Sequence, residues 1–194
     1  MFQVAEMVSI IDTLRSDHAR MTKLLDALER QIGAFGGGGT LDFEIANGIL
    51  HYCRLYPDRH HHPREDLVFA RLQQRNPQTL SAIGDLAAEH RALAALTERF
   101  AVSLRAVEQD TPMERHEFVE PAMAFLNGYR RHILMEEKYF FPAAKSSLTP
   151  EDWRHLAAQL EDIEDPLFDR REDERFDALY RDIIAWDMNL PAGA

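Results

Sequence analysis

Residues 118–143 read FVEPAMAFLNGYRRHILMEEKYFFPA, and in them Phe118, Ala122, Phe125, Tyr129, His132, Glu136, Tyr139 and Ala143 recur at alternating steps of four and three. That spacing keeps one stripe of a helix turned toward a core. The segment therefore predicts a bundle helix whose buried seam carries a histidine and a glutamate. Polar groups on such a stripe must be compensated, because a buried donor or acceptor without a partner costs about 1–3 kcal/mol.

The same period runs through Ile11, Leu14, His18, Met21, Leu25, Leu28 and Ile32, predicting a first helix from about 5 to 33. It is expected to stop at Gly33, because the four glycines from Gly36 to Gly39 carry too much backbone entropy for regular structure and predict a flexible link. A second seam comprises Phe43, Leu50, Pro57, His61, Glu65, Val68 and Leu72; Pro57 and Pro63 each remove a helical hydrogen bond, so this helix is expected to be kinked or restarted. Ile83, Leu86, His90, Leu93, Phe100 and Leu104 predict a third helix, ending near 109.

Thr149-Pro150-Glu151-Asp152 supplies an N-cap residue, a proline at the first helical position and acids in the first turn. A short fifth helix with Trp153, Leu156 and Leu160 should follow, be interrupted at Asp165-Pro166, and give way to a sixth stretch with Phe176, Leu179, Tyr180, Ile183 and Ile184. Four long helices with short connections and no strand signal predict an all-α fold. The expected arrangement is an antiparallel up-down-up-down four-helix bundle over 1–147 with an acidic helical pair, 148–194, packed on the bundle or at an oligomer interface. A homodimer is left open.

The chain has 194 residues, 45% of them hydrophobic and 28% charged, the mixture of one soluble globular domain with a modest extension. A net charge of −11 argues against a nucleic-acid partner. No run approaches the roughly 20 apolar residues of a membrane span. The start, MFQVAEMVSIIDTLRSDH, has neither a basic nor a continuously apolar leader region, so a cytoplasmic location is expected. Cys53 is the single cysteine, which rules out an internal disulfide or a thiolate metal knot within one chain. Any metal must rest on the histidines, nine in all, and on carboxylates.

Three histidines have a glutamate four residues later, the spacing that puts both on one helix face. His116–Glu120 is out of phase with its seam and reads as a solvated face, whereas His61–Glu65 and His132–Glu136 occupy seam positions. His18 lies 43 residues before His61, and His90 lies 42 before His132, so each helical hairpin contributes one histidine and then one His-x-x-x-Glu. Counted along the helices at about 1.5 Å per residue, the four histidines fall on one layer. Glu65 and Glu136 are displaced from their histidines in the same direction, so the two carboxylates can bridge two metal ions. His60 and His62, turned about 100° to either side of His61, are expected to be partly exposed rather than ligands. Tyr129, one turn before His132, could hydrogen-bond a metal ligand or be plain core.

The order His, His-x-x-x-Glu, His, His-x-x-x-Glu across about residues 8–145, with the contexts His61-His-Pro-Arg-Glu-Asp and Glu136-Glu-Lys-Tyr-Phe-Phe-Pro, resembles the hemerythrin-like HHE cation-binding domain. The resemblance implies a non-heme di-iron site, two irons bridged by the glutamates and an oxo or hydroxo ligand, held by His18, His61, Glu65, His90, His132 and Glu136. It also implies that dioxygen, nitric oxide or redox state is what the protein binds or senses. One departure stands out: oxygen-carrying hemerythrins have a second histidine four residues after the third-helix one, and this chain has Ala94 there. Two other functions stay open. One is a di-iron enzyme acting on peroxide or nitric oxide, or an iron donor in iron–sulfur repair; the other is an interaction module with a structural metal.

Overall fold

The computed structural model describes residues 2–163 and 169–189, and the side chains of 10–160 and 174–188. Among the described residues all regular structure is helical. The chain runs through α1 (Phe2–Gly36), α2 (Phe43–Tyr56), a π-turn (Pro57–His61), α3 (His62–Arg75), a 3-10 turn (Pro77–Thr79) and α4 (Leu80–Ile83). It continues through α5 (Leu86–Glu108), α6 (Arg115–Met135), a second π-turn (Glu136–Phe140), α7 (Phe141–Ser147), α8 (Pro150–Ile163) and α9 (Asp169–Asn189). The interruption expected at Asp165-Pro166 lies outside the described residues.

Side-chain caps open the helices as their sequences dictate. Asp42 accepts from the backbone N–H groups of Glu44 and Ile45 at 3.0 and 3.2 Å, and Asp85 accepts from Ala88 N–H at 3.0 Å. Thr149 and Asp152 cap one another: the Asp152 carboxylate accepts from the Thr149 N–H at 2.8 Å, and Thr149 Oγ1 accepts from the Asp152 N–H at 3.3 Å. The first helix outlasts its expected end, passing through Gly33 to Gly36. Gly39 N–H then bonds back to Ala34 at 2.9 Å, and Gly38 takes φ 99°, a left-handed conformation that favours glycine. Arg115 donates to the Phe35 carbonyl, so the glycine run is a bonded turn where composition predicted a loose link.

At the prolines the α-helical pattern is interrupted: α2 gives way to the π-turn and α3 follows it. The His62 N–H bonds the Pro57 carbonyl five residues back, and Pro63 sits in the first turn of α3, where its missing N–H is an orphan in any case. The second π-turn is closed by Phe141 N–H on the Glu136 carbonyl. Each π-turn holds one residue more than an α-turn and so rotates everything beyond it. Tyr139, expected on the seam, is 42% exposed, while Phe140, Phe141 and Ala144 are buried in its stead.

Two apolar clusters fill the interior. One gathers Met21 to Ile32, the inward face of α2, and Leu93, Phe100, Phe118, Phe125 and Tyr129. The other gathers Ile11, Leu14, Val68, Leu72, Leu86, Phe140 and Phe141. Each ligand-bearing stretch crosses from one cluster to the other, and at the crossing its buried residues turn polar: Asp17 and His18, His60 to His62 and Glu65, His132 and Glu136. Trp153 and Leu156 of α8 join the second cluster, and Phe176 and Ile183 of α9 join the first. The Asp152 carboxylate, buried at the start of α8, accepts from Arg75 on α3. Arg20 and Arg30 of α1 pair with Asp177 and Asp187 of α9. Trp186 remains 41% exposed. Among the described residues no helix is long and apolar enough to cross a membrane.

The seat of α9 on α2 depends on a residue without a side chain: a Cβ at Gly48 would stand 3.2 Å from two carbons of Ile183. Gly48→Leu should force Ile183 off its seat and destabilise the fold by about 1–3 kcal/mol, with faster amide exchange concentrated in α9. Urea unfolding and hydrogen exchange check this; wild-type values for both would show that α9 is not held there.

Candidate metal centre

The polar layer brings together side chains from four stretches of chain. His18 comes from the middle of α1, His61 from the first π-turn, Glu65 from the first turn of α3, His90 from α5, His132 from the last turn of α6 and Glu136 from the second π-turn. Glu65 and Glu136 have no solvent exposure, and His61 is 1% exposed. His61 Nε2 is 3.1 Å from Glu65 Oε1, and His90 Nε2 is 3.5 Å from Glu65 Oε2. His18 Nε2 is 3.1 Å from Glu136 Oε2, and His132 Nε2 is 3.1 Å from Glu136 Oε1. Each carboxylate thus shows one oxygen to the imidazoles on one side of the layer and its other oxygen to those on the other side.

These approaches are not hydrogen bonds. Both oxygens of Glu65, both of Glu136, and Nε2 of His90 and His132 are buried without a hydrogen-bond partner. For His18, His61 and His132 the reason lies at the opposite ring nitrogen, which is held by a carboxylate. His18 Nδ1 is 3.0 Å from Glu137, His61 Nδ1 3.1 Å from Asp17, and His132 Nδ1 3.1 Å from Glu89. In the neutral ring a proton on Nδ1 satisfies that contact and leaves Nε2 as a bare lone pair facing carboxylate lone pairs. Lone pairs aimed at one another at 3.1 Å repel unless a cation stands among them. Two donors each about 2.1 Å from an ion and at right angles to one another would stand about 3 Å apart, which is the spacing found. The donor set therefore fits metal ions.

The protonation preferences of two of the rings agree. Burial, helped by nearby His61, pushes His18 down to about 4, and burial also lowers His132. Both favour the neutral ring that metals require. Burial and the charge of Glu65 hold Glu136 well above the ordinary carboxylate range. Glu65 goes the other way: burial would raise it, but His61 holds it well below that range. For His61, burial is outweighed by Glu65 and Asp17, which lift it to about 9. Two carboxylates that cannot both stay charged beside one another mark a place where positive charge is wanted.

Two readings of the sequence need correction, those of His60 and His62. His60 and His62, expected to be partly exposed, are 6% and 7% exposed, because the π-turn lets three consecutive histidines point inward. His60 packs between Tyr56 and Phe176, with ring centroids 5.2 and 5.8 Å away. His62 lies in the layer itself: ring nitrogens of His62, His90 and His132 and an oxygen of Glu65 fall within 4.8 Å of one another, as do those of His18, His61, Glu65 and Glu136. Of the two readings left open for Tyr129 the core one holds: it is buried and donates to the Cys53 carbonyl at 2.8 Å. His116, by contrast, is on the surface as expected. The signal that could have found His62 is Asp58, four residues before it in a run flanked by two prolines.

Beside His62 and His90 a cavity of about 270 Å³ opens, lined also by Cys53, Leu93, Ala94 and Tyr129. At its edge Arg54 pairs with Glu98 at 2.7 Å. Ala94 is exposed there, one helical turn beyond His90, and offers no donor.

The family described as "Hemerythrin HHE cation binding domain" matches residues 9–144. No curated protein and no solved structure matches the chain. The matched span takes in all six predicted ligands.

Asp17 also accepts from the Tyr56 hydroxyl, at 2.7 Å, so its carboxylate is fixed before it meets His61. Asp17→Ala should lower metal affinity about 10–100-fold by releasing the His61 ring, measured by competition against a chromophoric chelator. Unchanged affinity in a folded variant would mean that Asp17 does not position this ring.

Proposed function

The chain belongs to the hemerythrin HHE cation-binding family, and on that footing we propose that it is a non-heme di-iron protein that binds or senses dioxygen or a related small molecule such as nitric oxide. The ligands proposed are His18, His61, Glu65, His90, His132 and Glu136, carried by helices arranged as an antiparallel four-helix bundle. The observation that carries this reading is the double exposure of each glutamate: the two oxygens of Glu65 and the two of Glu136 face different imidazoles, as bridging carboxylates must.

Bound there, a pair of irons supplies redox chemistry and coordination positions that a small molecule can take. The remaining work belongs to the chain. Asp17, Glu89 and Glu137 fix ring orientation, and the apolar clusters on either side of the layer keep bulk water away. The cavity at Ala94 gives a small molecule a way toward the layer.

Anaerobic titration with ferrous iron should load about two ions per chain, and admitting air or nitric oxide should change the visible spectrum. Glu65→Ala should lose the second ion. A wild-type protein that takes up one ion or none, or a loaded protein whose spectrum ignores both gases, would overturn the reading.

A further inference from the structure

We propose that His62 is a further metal ligand, a fifth imidazole that takes over the place left without a donor at Ala94. The inference rests on the dinuclear reading above and adds to it a residue outside the His-x-x-x-Glu pattern.

Four observations converge on it. At the π-turn closed by the His62 N–H on the Pro57 carbonyl, the consecutive residues His61 and His62 are both buried. The His62 ring is held as those of His18, His61 and His132 are: its Nδ1 is 3.0 Å from Asp58 Oδ1, which in the neutral ring leaves Nε2 as the free lone pair. That ring lies almost parallel to His90, with centroids 3.7 Å apart and planes at 13°, and edge-on to His132 at 6.1 Å. A ring nitrogen of His62 also falls within 4.8 Å of donors from Glu65, His90 and His132, the spacing of groups sharing one ion.

Ala94 supplies the complement. It sits one turn after His90, where a longer side chain could have reached the same ion, and it lines a cavity whose wall is completed by His62 and His90. With His62 counted, one ion is held by His62, His90 and His132 and the other by His18 and His61, the two glutamates spanning both. The centre is lopsided in its imidazoles, three against two.

The direct test is the ring 15N spectrum of the full chain loaded with zinc, a diamagnetic stand-in that takes the same donors. The His62 Nε2 resonance should move to a metal-bound position together with those of His90 and His132. A His62 resonance that stays put while theirs move would overturn the inference and leave the dinuclear reading standing. Loading of fewer than two zinc ions by the wild type would strike at the dinuclear reading instead, and the His62 resonance would still report on ligation. As a second measurement, His62→Ala should weaken the second ion by about 10-fold or more, and the double variant His62→Ala/Ala94→His should recover it. Wild-type affinity in His62→Ala would again overturn the proposal.

Discussion

The structure turns on a layer of donors sealed inside an apolar interior. Five imidazoles and two carboxylates meet where no water reaches the carboxylates, with four carboxylate oxygens unpartnered and lone pairs facing lone pairs. Protein groups alone leave that arrangement unfavourable, since unpaired buried polar atoms each cost about 1–3 kcal/mol. Positive charge between the groups reverses the sign, and the apolar clusters above and below hold the donors in register until it arrives. Stability is thus supplied by the two ends of the molecule and function by the middle.

Periodicity was enough to place most of the helices and to bring six candidate ligands to one depth, because a side chain's depth along a helix follows from its position in the count. Hence His18 and His61, forty-three residues apart, meet with their Nε2 atoms 3.1 Å apart. What the count could not reveal is any place where it fails. At both π-turns an added residue rotates the helix beyond, so Tyr139 went outward, Phe140 went inward and His62 joined the layer against expectation. The outer carboxylates escaped notice for a different reason. Asp17, Asp58, Glu89 and Glu137 look like ordinary surface acids in a chain rich in them, and only the fold shows that each meets a ring.

The acidic C-terminal helices take opposite posts. Through Trp153 and Leu156, α8 seals the cluster on one side of the layer, while α9 lays Phe176 against Tyr52, Tyr56 and His60 on the other. His60 directly precedes His61 and His62, so a shift of α9 would be felt one residue from the first and two from the second. That contact ties the extension to the centre even though none of its described residues contributes a donor.

The π-turns also bear on how such a chain can arise and be rebuilt. An α-helix with one surplus residue is reached by insertion, not by exchanging one amino acid for another, and deleting a residue within Pro57–His61 would heal the helix while swinging part of the donor set out of reach. A designer who drew the six recognised ligands onto ideal straight rods would keep every letter of the motif and lose the geometry. The heritable information for this centre lies as much in the length of two short stretches as in the residues that fill them.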